Sequence, residues 1–84
     1  MKHAGPAALD QLEPLLESLR ALGGLKEKAR GVFYRRSRAF LHFHEDRSGL
    51  YADLRNDLGE FERYRVQEPT ERDLFLNEVM YMLA

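Results

Sequence analysis

The sequence predicts an α+β domain of order α-β-β-β-β-α, in which a four-stranded antiparallel meander carries an N-terminal and a C-terminal helix on one face. Three observations lead to this prediction. Apolar residues recur at three- and four-residue steps near the N-terminus, alternate with polar residues between positions 32 and 66, and form an almost unbroken run near the C-terminus. At 84 residues the chain has the length of one domain, 1–84, of which residues 1–6 are expected to form a flexible tail.

The first helix is predicted from a single apolar stripe. Its members lie three or four residues apart or side by side: Ala8, Leu12, Leu15, Leu16, Leu19 and Leu22. Asp10 followed by Glu13 resembles a capping box, and Pro14 suits the first turn of a helix. The start is therefore predicted between residues 7 and 13, with a kink at Pro14 as the alternative. The Gly23-Gly24 pair ends the helix, because glycine readily adopts the left-handed conformation of helix C-termini.

Four alternating segments are predicted to form the meander, after a charged connector over residues 26–31. They are Val32–Arg35, Arg38–Glu45, Leu50–Arg55 and Phe61–Val66. In the central hairpin, pairing Glu45 with Leu50 sets apolar residues against apolar residues on one face. The same register pairs the polar residues on the other face, His42 with Asp53 and His44 with Tyr51.

The same rule applied to the first hairpin, with Arg36-Ser37 as its turn, assigns each side chain to a face of the sheet. The inward residues are Val32, Tyr34, Ala39, Leu41 and Phe43. The outward residues are Phe33, Arg35, Arg38 and Phe40. In the last strand, Tyr64 and Val66 are expected to point inward. Arg63 and Arg65 then lie on the outer face, near Asp53.

A final helix is predicted after Pro69, with Thr70 as its N-cap and Asp73 three residues further on. Apolar residues occupy most of the circumference of this helix: Leu74, Phe75, Leu76, Val79, Met80, Tyr81, Met82 and Leu83. This is more apolar surface than one packed face requires, which indicates either a helix central to its own monomer core or one shared with a second subunit. We expect a homodimer, because a chain of this length gains core by burying such a surface.

Bulk composition excludes several classes of protein. The net charge is −1, yet residues 26–38 hold six basic residues against Glu27, a local charge of +5. Such a segment could bind phosphate or an acidic partner, but we expect it to pair with the chain's own carboxylates. The absence of cysteine excludes disulfides and thiolate metal sites. No apolar run is long enough to cross a membrane and no secretory signal is recognisable, so a cytoplasmic location is expected.

The candidate binding surface is the outer face of the central hairpin. His42 and His44 lie two residues apart on one strand, where their imidazoles can point the same way about 7 Å apart. With Asp53 across the strand gap as a third ligand they could hold zinc or iron, although exposed strand histidines commonly just pair with an acid. His42 oriented by Asp53 could also act as a general base, but no nucleophile lies in a suitable motif, so the chain is expected to be non-catalytic.

Single-stranded nucleic acid is a further alternative ligand. The outer face offers aromatic residues that could stack bases and arginines that could neutralise phosphates: Phe33, Phe40, Tyr51, Arg35, Arg38, Arg55, Arg63 and Arg65. The acidic net charge counts against this alternative. Cross-strand ion pairing, for example of Asp53 with Arg65, is the competing explanation of these charges.

Two segments, Arg38–Asp46 and Gly49–Arg55, resemble the luciferase-like domain of unknown function, which belongs to small uncharacterised bacterial α+β proteins. The shared features are a strand containing Leu-His, an acidic turn and a following strand that bears Asp. The layout is also similar to the YjbR-type fold. The resemblance implies a recurrent strand pair containing His42, His44 and Asp53 in proteins without an assigned reaction, and it implies no activity.

Together these observations predict a small non-catalytic binding domain, with a second copy of the chain, a small molecule or a metal ion as its partner. Neither a membrane nor, on balance, nucleic acid is expected as a partner, and no cofactor is expected beyond the alternative of zinc or iron. The expected ligand-binding residues are Phe40, His42, His44, Tyr51, Asp53, Arg55 and Arg65.

Overall fold

The computed structural model describes all 84 residues, Met1–Ala84, and shows the predicted α+β class. Its elements are β1 (Lys2–His3), α1 (Pro6–Gln11), α2 (Glu13–Arg20), β2 (Lys26–Ala29), β3 (Val32–Arg35), β4 (Arg38–Asp46), β5 (Gly49–Arg55), β6 (Phe61–Arg65) and α3 (Pro69–Leu83). The sheet is antiparallel with the order β2-β3-β4-β5-β6, and β1 pairs with β4. The meander therefore has two more strands than the four predicted, and the N-terminal helix consists of two pieces.

The break between α1 and α2 falls at Leu12, just ahead of the kink considered at Pro14. Each helix has a proline in its first turn, Pro6 in α1 and Pro14 in α2, where the missing N–H removes no helical hydrogen bond. Leu12 is fully buried, and its N–H still bonds to the carbonyl oxygens of Ala8 and Leu9. The break consequently lies within the core. The predicted apolar stripe is buried from Ala8 to Leu19, whereas Leu22 follows the end of α2 at Arg20 and is half-buried.

The two additional strands lie where a connector and a tail were predicted. Residues 26–29 form edge strand β2, paired with β3, so the prediction of a charged connector was wrong. Its lysines suit an edge strand, since charge at an exposed edge hinders pairing with another chain. Gly31 closes the β2–β3 turn at φ 80°, and a Cβ there would approach the Leu9 side chain to 2.7 Å, so glycine is required. The expected tail contains β1, which pairs His3 with His44.

The β4–β5 hairpin has the register that its alternation predicts. Every predicted pair is present: Glu45 with Leu50, His44 with Tyr51, Phe43 with Ala52, His42 with Asp53, and Leu41 with Leu54. The apolar face of this hairpin packs under the helices, where the Phe43 ring lies 6.3 Å from that of Phe75 in α3. The histidine face is therefore the one opposite the helices.

A β-bulge at Phe40 makes the predicted facing of β3 wrong. Tyr34 pairs with Ala39, as a two-residue turn at Arg36-Ser37 requires, but Phe33 pairs with Leu41, so Phe40 has no partner in β3. A bulge places two residues of one strand opposite one of the other and interrupts the alternation. As a result Phe33 and Phe40, both predicted to point outward, are only 1% and 4% exposed and belong to the core.

Because the bulge interrupts the alternation, the other side chains of β3 also lie on the face opposite to the one predicted. Arg35, predicted outward, instead reaches α3 and donates a hydrogen bond of 3.2 Å to the Met82 carbonyl oxygen. Val32 and Tyr34, predicted inward, are only half-buried. The predicted turn at Arg36-Ser37 is present, and both residues have positive φ (52° and 70°), as tight hairpin turns require.

The final helix begins one residue before the predicted N-cap. Glu68 is the N-cap, and its N–H donates to the Glu71 carboxylate at 2.8 Å, so Thr70 is the second helical residue and does not cap the helix. Phe75 and Val79 are buried against the sheet, whereas Leu74, Met80 and Tyr81 are exposed. The homodimer expected from this helix stays a prediction. None of the helices combines the length and hydropathy needed to span a membrane.

Candidate functional site

Three histidines meet on the sheet face opposite the helices. The pairing of β1 with β4 sets His3 beside His44, and His42 lies two residues along β4 on the same face. The His3 and His44 rings stack at 4.7 Å between centroids, and the His42 ring lies edge-on to His44 at 4.9 Å. We call these three residues the histidine cluster. Its third member was missed because a two-residue strand has no alternation from which it could be recognised.

The ring nitrogens of the histidine cluster are close enough to share one ion. One ligand nitrogen from each residue lies within 4.8 Å of the other two, and His44 Nε2 is 3.0 Å from His42 Nδ1. In a tetrahedral zinc site, with Zn–N distances of about 2.0–2.1 Å, neighbouring nitrogens are about 3.3 Å apart. Small rotations of the side chains therefore suffice to bring all three nitrogens to metal-binding distance.

Asp53 lies at the edge of the cluster and is paired with an arginine. It sits opposite His42 in the register, yet its carboxylate contacts Nε2 of His44 at 3.3 Å. Both carboxylate oxygens also accept hydrogen bonds from Arg63, at 2.8 Å from Nε and 2.9 Å from Nη2. The ion pair considered from the sequence, with Arg65, is therefore made by Arg63. This bidentate pair engages the oxygens that a metal would need, so His3 is the better third ligand.

Burial and neighbouring charges shift the pKa values of two groups on this face, His42 and Asp53. Burial lowers the pKa of His42, the charge of Asp53 opposes this shift without reversing it, and the neighbouring His44, His3 and Arg63 side chains lower the pKa further. Burial by itself raises the pKa of Asp53, but its hydrogen bonds and charge interaction with Arg63 outweigh this and lower the pKa. His42 thus favours its neutral, metal-ligating form beside an ionised Asp53. Nδ1 of His44 is buried without a hydrogen-bond partner.

The remaining residues predicted for the binding surface are spread over the molecule. Phe40 belongs to the core. The Tyr51 hydroxyl hydrogen-bonds to Ser48 Oγ at 2.5 Å, and Arg65 pairs with Glu71. Arg55 donates to the backbone and lies over the ring of Phe61, which itself contacts His42 at 4.8 Å between centroids. Of the predicted set, His42, His44 and Asp53 are brought together by the fold.

No protein-family model matches the chain, and comparisons with curated proteins and with solved structures also find no significant match. The resemblance to the luciferase-like domain and to the YjbR-type fold therefore stays a prediction.

The depressed pKa of His42 predicts that the metal-free protein loses stability on mild acidification. Because the unfolded chain titrates near the ordinary histidine pKa of about 6.5 and the folded chain below it, the unfolded state binds more protons between these values. The free energy of unfolding should therefore fall as pH is lowered through about 6.5. The groups facing His42 are His3, His44, Asp53 and Arg63.

Urea unfolding in the presence of EDTA, between about pH 8 and pH 5.5, measures this dependence. His42→Gln removes the titrating imidazole, so its unfolding free energy should vary less steeply over the same range. An equally steep pH dependence in His42→Gln would assign the effect to other groups.

Proposed function

We propose that this protein is a small binding domain that holds a divalent transition-metal ion between His3, His42 and His44. The observation that carries the proposal is the convergence of three imidazoles, from two directly paired strands, with ligand nitrogens within 4.8 Å of one another. Imidazole nitrogen suits zinc, copper, nickel and iron. Three protein ligands also leave a coordination position for a further ligand.

Three features of the surroundings support metal binding. The neutral form that burial favours at His42 is the form that ligates a metal. Asp53 lies 3.3 Å from Nε2 of His44, the nitrogen that also faces His42, so its negative charge lies beside the proposed cation site. The unpartnered Nδ1 of His44 leaves this ring free to change its hydrogen bonding when an ion arrives. The metal set considered from the sequence shares His42 and His44 with this proposal and has Asp53 where we now propose His3.

The alternative for the same residues is a metal-free stack held by packing. In that case Asp53 contacts His44 and pairs with Arg63, and the three rings simply pack against one another on the sheet. The two interpretations differ in their response to added zinc or nickel. A metal site is stabilised by the bound ion, whereas a stack of packed rings is not.

Titration of untagged protein with Zn²⁺ and Ni²⁺, followed by calorimetry and thermal unfolding, tests the proposal. We expect one bound ion per chain and a rise in the unfolding midpoint, since a ligand at 100 times its dissociation constant stabilises the folded state by about 2.7 kcal/mol. His3→Ala should raise the dissociation constant about tenfold or more while leaving the metal-free protein folded, because His3 lies exposed on the short strand β1.

Lys2→Ala is the matched control, since it changes the neighbouring residue of the same two-residue strand but removes no ligand. Its affinity for Zn²⁺ should equal that of the unaltered chain. A metal site is ruled out by the absence of any thermal shift, and the three-histidine site is ruled out by equal zinc affinity in the His3→Ala and Lys2→Ala proteins.

A further inference from the structure

A second candidate site lies at the other end of the sheet, between the β3–β4 turn and the β5–β6 turn. It is a cleft of about 380 Å³, within the size range of small-ligand pockets. Four arginines contribute to its walls, Arg35, Arg36, Arg38 and Arg55, together with one carboxylate, that of Asp57. We call this the arginine cleft. Its ionisable lining has a net charge of +3, four arginines against one aspartate, on a chain whose net charge is −1.

The four guanidinium groups of the arginine cleft have no carboxylate partner. The ion pairs of this protein are made by Arg20, Arg30, Arg63, Arg65 and His44. The basic segment over residues 26–38 is thus divided. Arg30 pairs with Asp10 and Glu13, as expected from the sequence, whereas the three arginines that follow it make no ion pair. The charge of the cleft is therefore available to a ligand.

Two of these arginines are held in place by backbone carbonyl groups. Arg55 donates from Nε to the carbonyl oxygen of Ala39 and from Nη1 to that of Gly59, both at 2.7 Å, and so joins the start of β4 to the β5–β6 turn. Arg35 donates to Met82, and its guanidinium lies 5.5 Å from the ring centroid of Phe40. A guanidinium has five N–H donors, so these bonds leave further donors on each side chain for a ligand. Because these two guanidinium groups are already held in place, ligand binding costs less side-chain conformational entropy.

We propose that the arginine cleft binds a small molecule that bears a phosphate or diphosphate group. The planar fork of arginine matches phosphate oxygens in a bidentate manner, and four arginines around one cleft suit a ligand with more than one negative charge. A small molecule fits better than a nucleic-acid strand, because Phe33 and Phe40, the aromatics that could have stacked bases, are buried in the core. The site shares no residue with the histidine cluster, so the two proposals can be tested separately.

Calorimetric titration with inorganic pyrophosphate in the presence of EDTA tests this proposal separately from the metal site. We expect saturable binding of one pyrophosphate per chain, and about tenfold weaker binding by Arg38→Gln, whose side chain is exposed and makes no ion pair. Arg36→Gln provides a second variant with the same expectation. His3→Ala should bind pyrophosphate with unchanged affinity.

Arg47→Gln is the matched control. Arg47 is exposed, makes no ion pair and lies in the β4–β5 turn at the opposite end of the sheet, so its removal changes the net charge equally. Arg47→Gln should bind pyrophosphate as the unaltered chain does. The proposal is overturned by the absence of saturable binding, by equal weakening in Arg47→Gln and Arg38→Gln, or by binding of a single-stranded oligonucleotide without binding of pyrophosphate.

Discussion

Replacing Phe33 with alanine should destabilise the protein by about 3–5 kcal/mol, the range for deleting a buried aromatic side chain. The ring is 1% exposed and lies opposite Leu41 in the part of the sheet that the helices cover. Alanine would leave a cavity that the surrounding side chains, held by two strands and a helix layer, fill only in part. Urea unfolding gives the loss directly from the shift of the midpoint at constant slope.

Tyr34→Ala is the control, because it deletes an aromatic ring of similar size from the next residue of the same strand. Tyr34 is half-buried on the opposite face, beneath Lys28 at 4.7 Å, so its loss should cost about 1–2 kcal/mol. Without the bulge at Phe40, Tyr34 would point inward and Phe33 outward. A larger loss in Tyr34→Ala than in Phe33→Ala would therefore support the regular register and contradict the bulge.

The β4–β5 hairpin could be predicted residue by residue because its two strands are long and strictly alternating. Only one register sets Leu41 and Phe43 against apolar partners, and a slip by one residue would turn the whole apolar set toward solvent. The same constraint placed His42 and His44 on one face with Asp53. This part of the candidate site therefore follows from the pattern of the sequence alone.

The bulge could not be predicted because alternation is ambiguous where apolar residues are adjacent. Phe33-Tyr34 and Phe40-Leu41 each offer two neighbouring side chains that suit a core, so either phase of the first hairpin buries aromatic surface. Which of the two phases forms depends on how the side chains pack beneath the helices, and the sequence pattern does not contain this information. Sequence reasoning assumed a regular ladder and so reversed every side chain of β3.

The two short edge strands, β1 and β2, were not predicted, for a different reason. β2 and β1 are short and largely exposed, and they carry no apolar alternation, because an edge strand is held by backbone hydrogen bonds on one side and needs no buried face. His3 was missed with β1. The arginine cleft was missed because the sequence shows that residues 26–38 are basic but not which cations meet a carboxylate. The acids that neutralise Arg30 come from the N-terminal helices through the fold.

Asp53→Ala should destabilise the protein by about 2–3 kcal/mol, the second largest loss that we expect. Its carboxylate is 7% exposed and accepts two charge-assisted hydrogen bonds from Arg63, and such bonds contribute about 1.5–3 kcal/mol each in favourable cases. We expect a total loss at the lower end of the range for two such hydrogen bonds, because Arg63 is partly exposed and water can replace part of its interaction with Asp53. Urea unfolding at neutral pH measures the loss.

A double-mutant cycle with Arg63→Ala separates the ion pair from the effect of truncating either side chain. If the pair accounts for the loss, the double variant should be hardly less stable than Asp53→Ala alone, because the partner of Arg63 is already gone. Additive losses would show that the two residues act independently.

The Asp53→Ala variant also distinguishes a neighbouring charge from a metal ligand. Zinc affinity should fall less in Asp53→Ala than in His3→Ala, since both carboxylate oxygens of Asp53 are already engaged by Arg63. A greater loss of zinc affinity in Asp53→Ala would make Asp53, as the sequence suggested, the third ligand in place of His3.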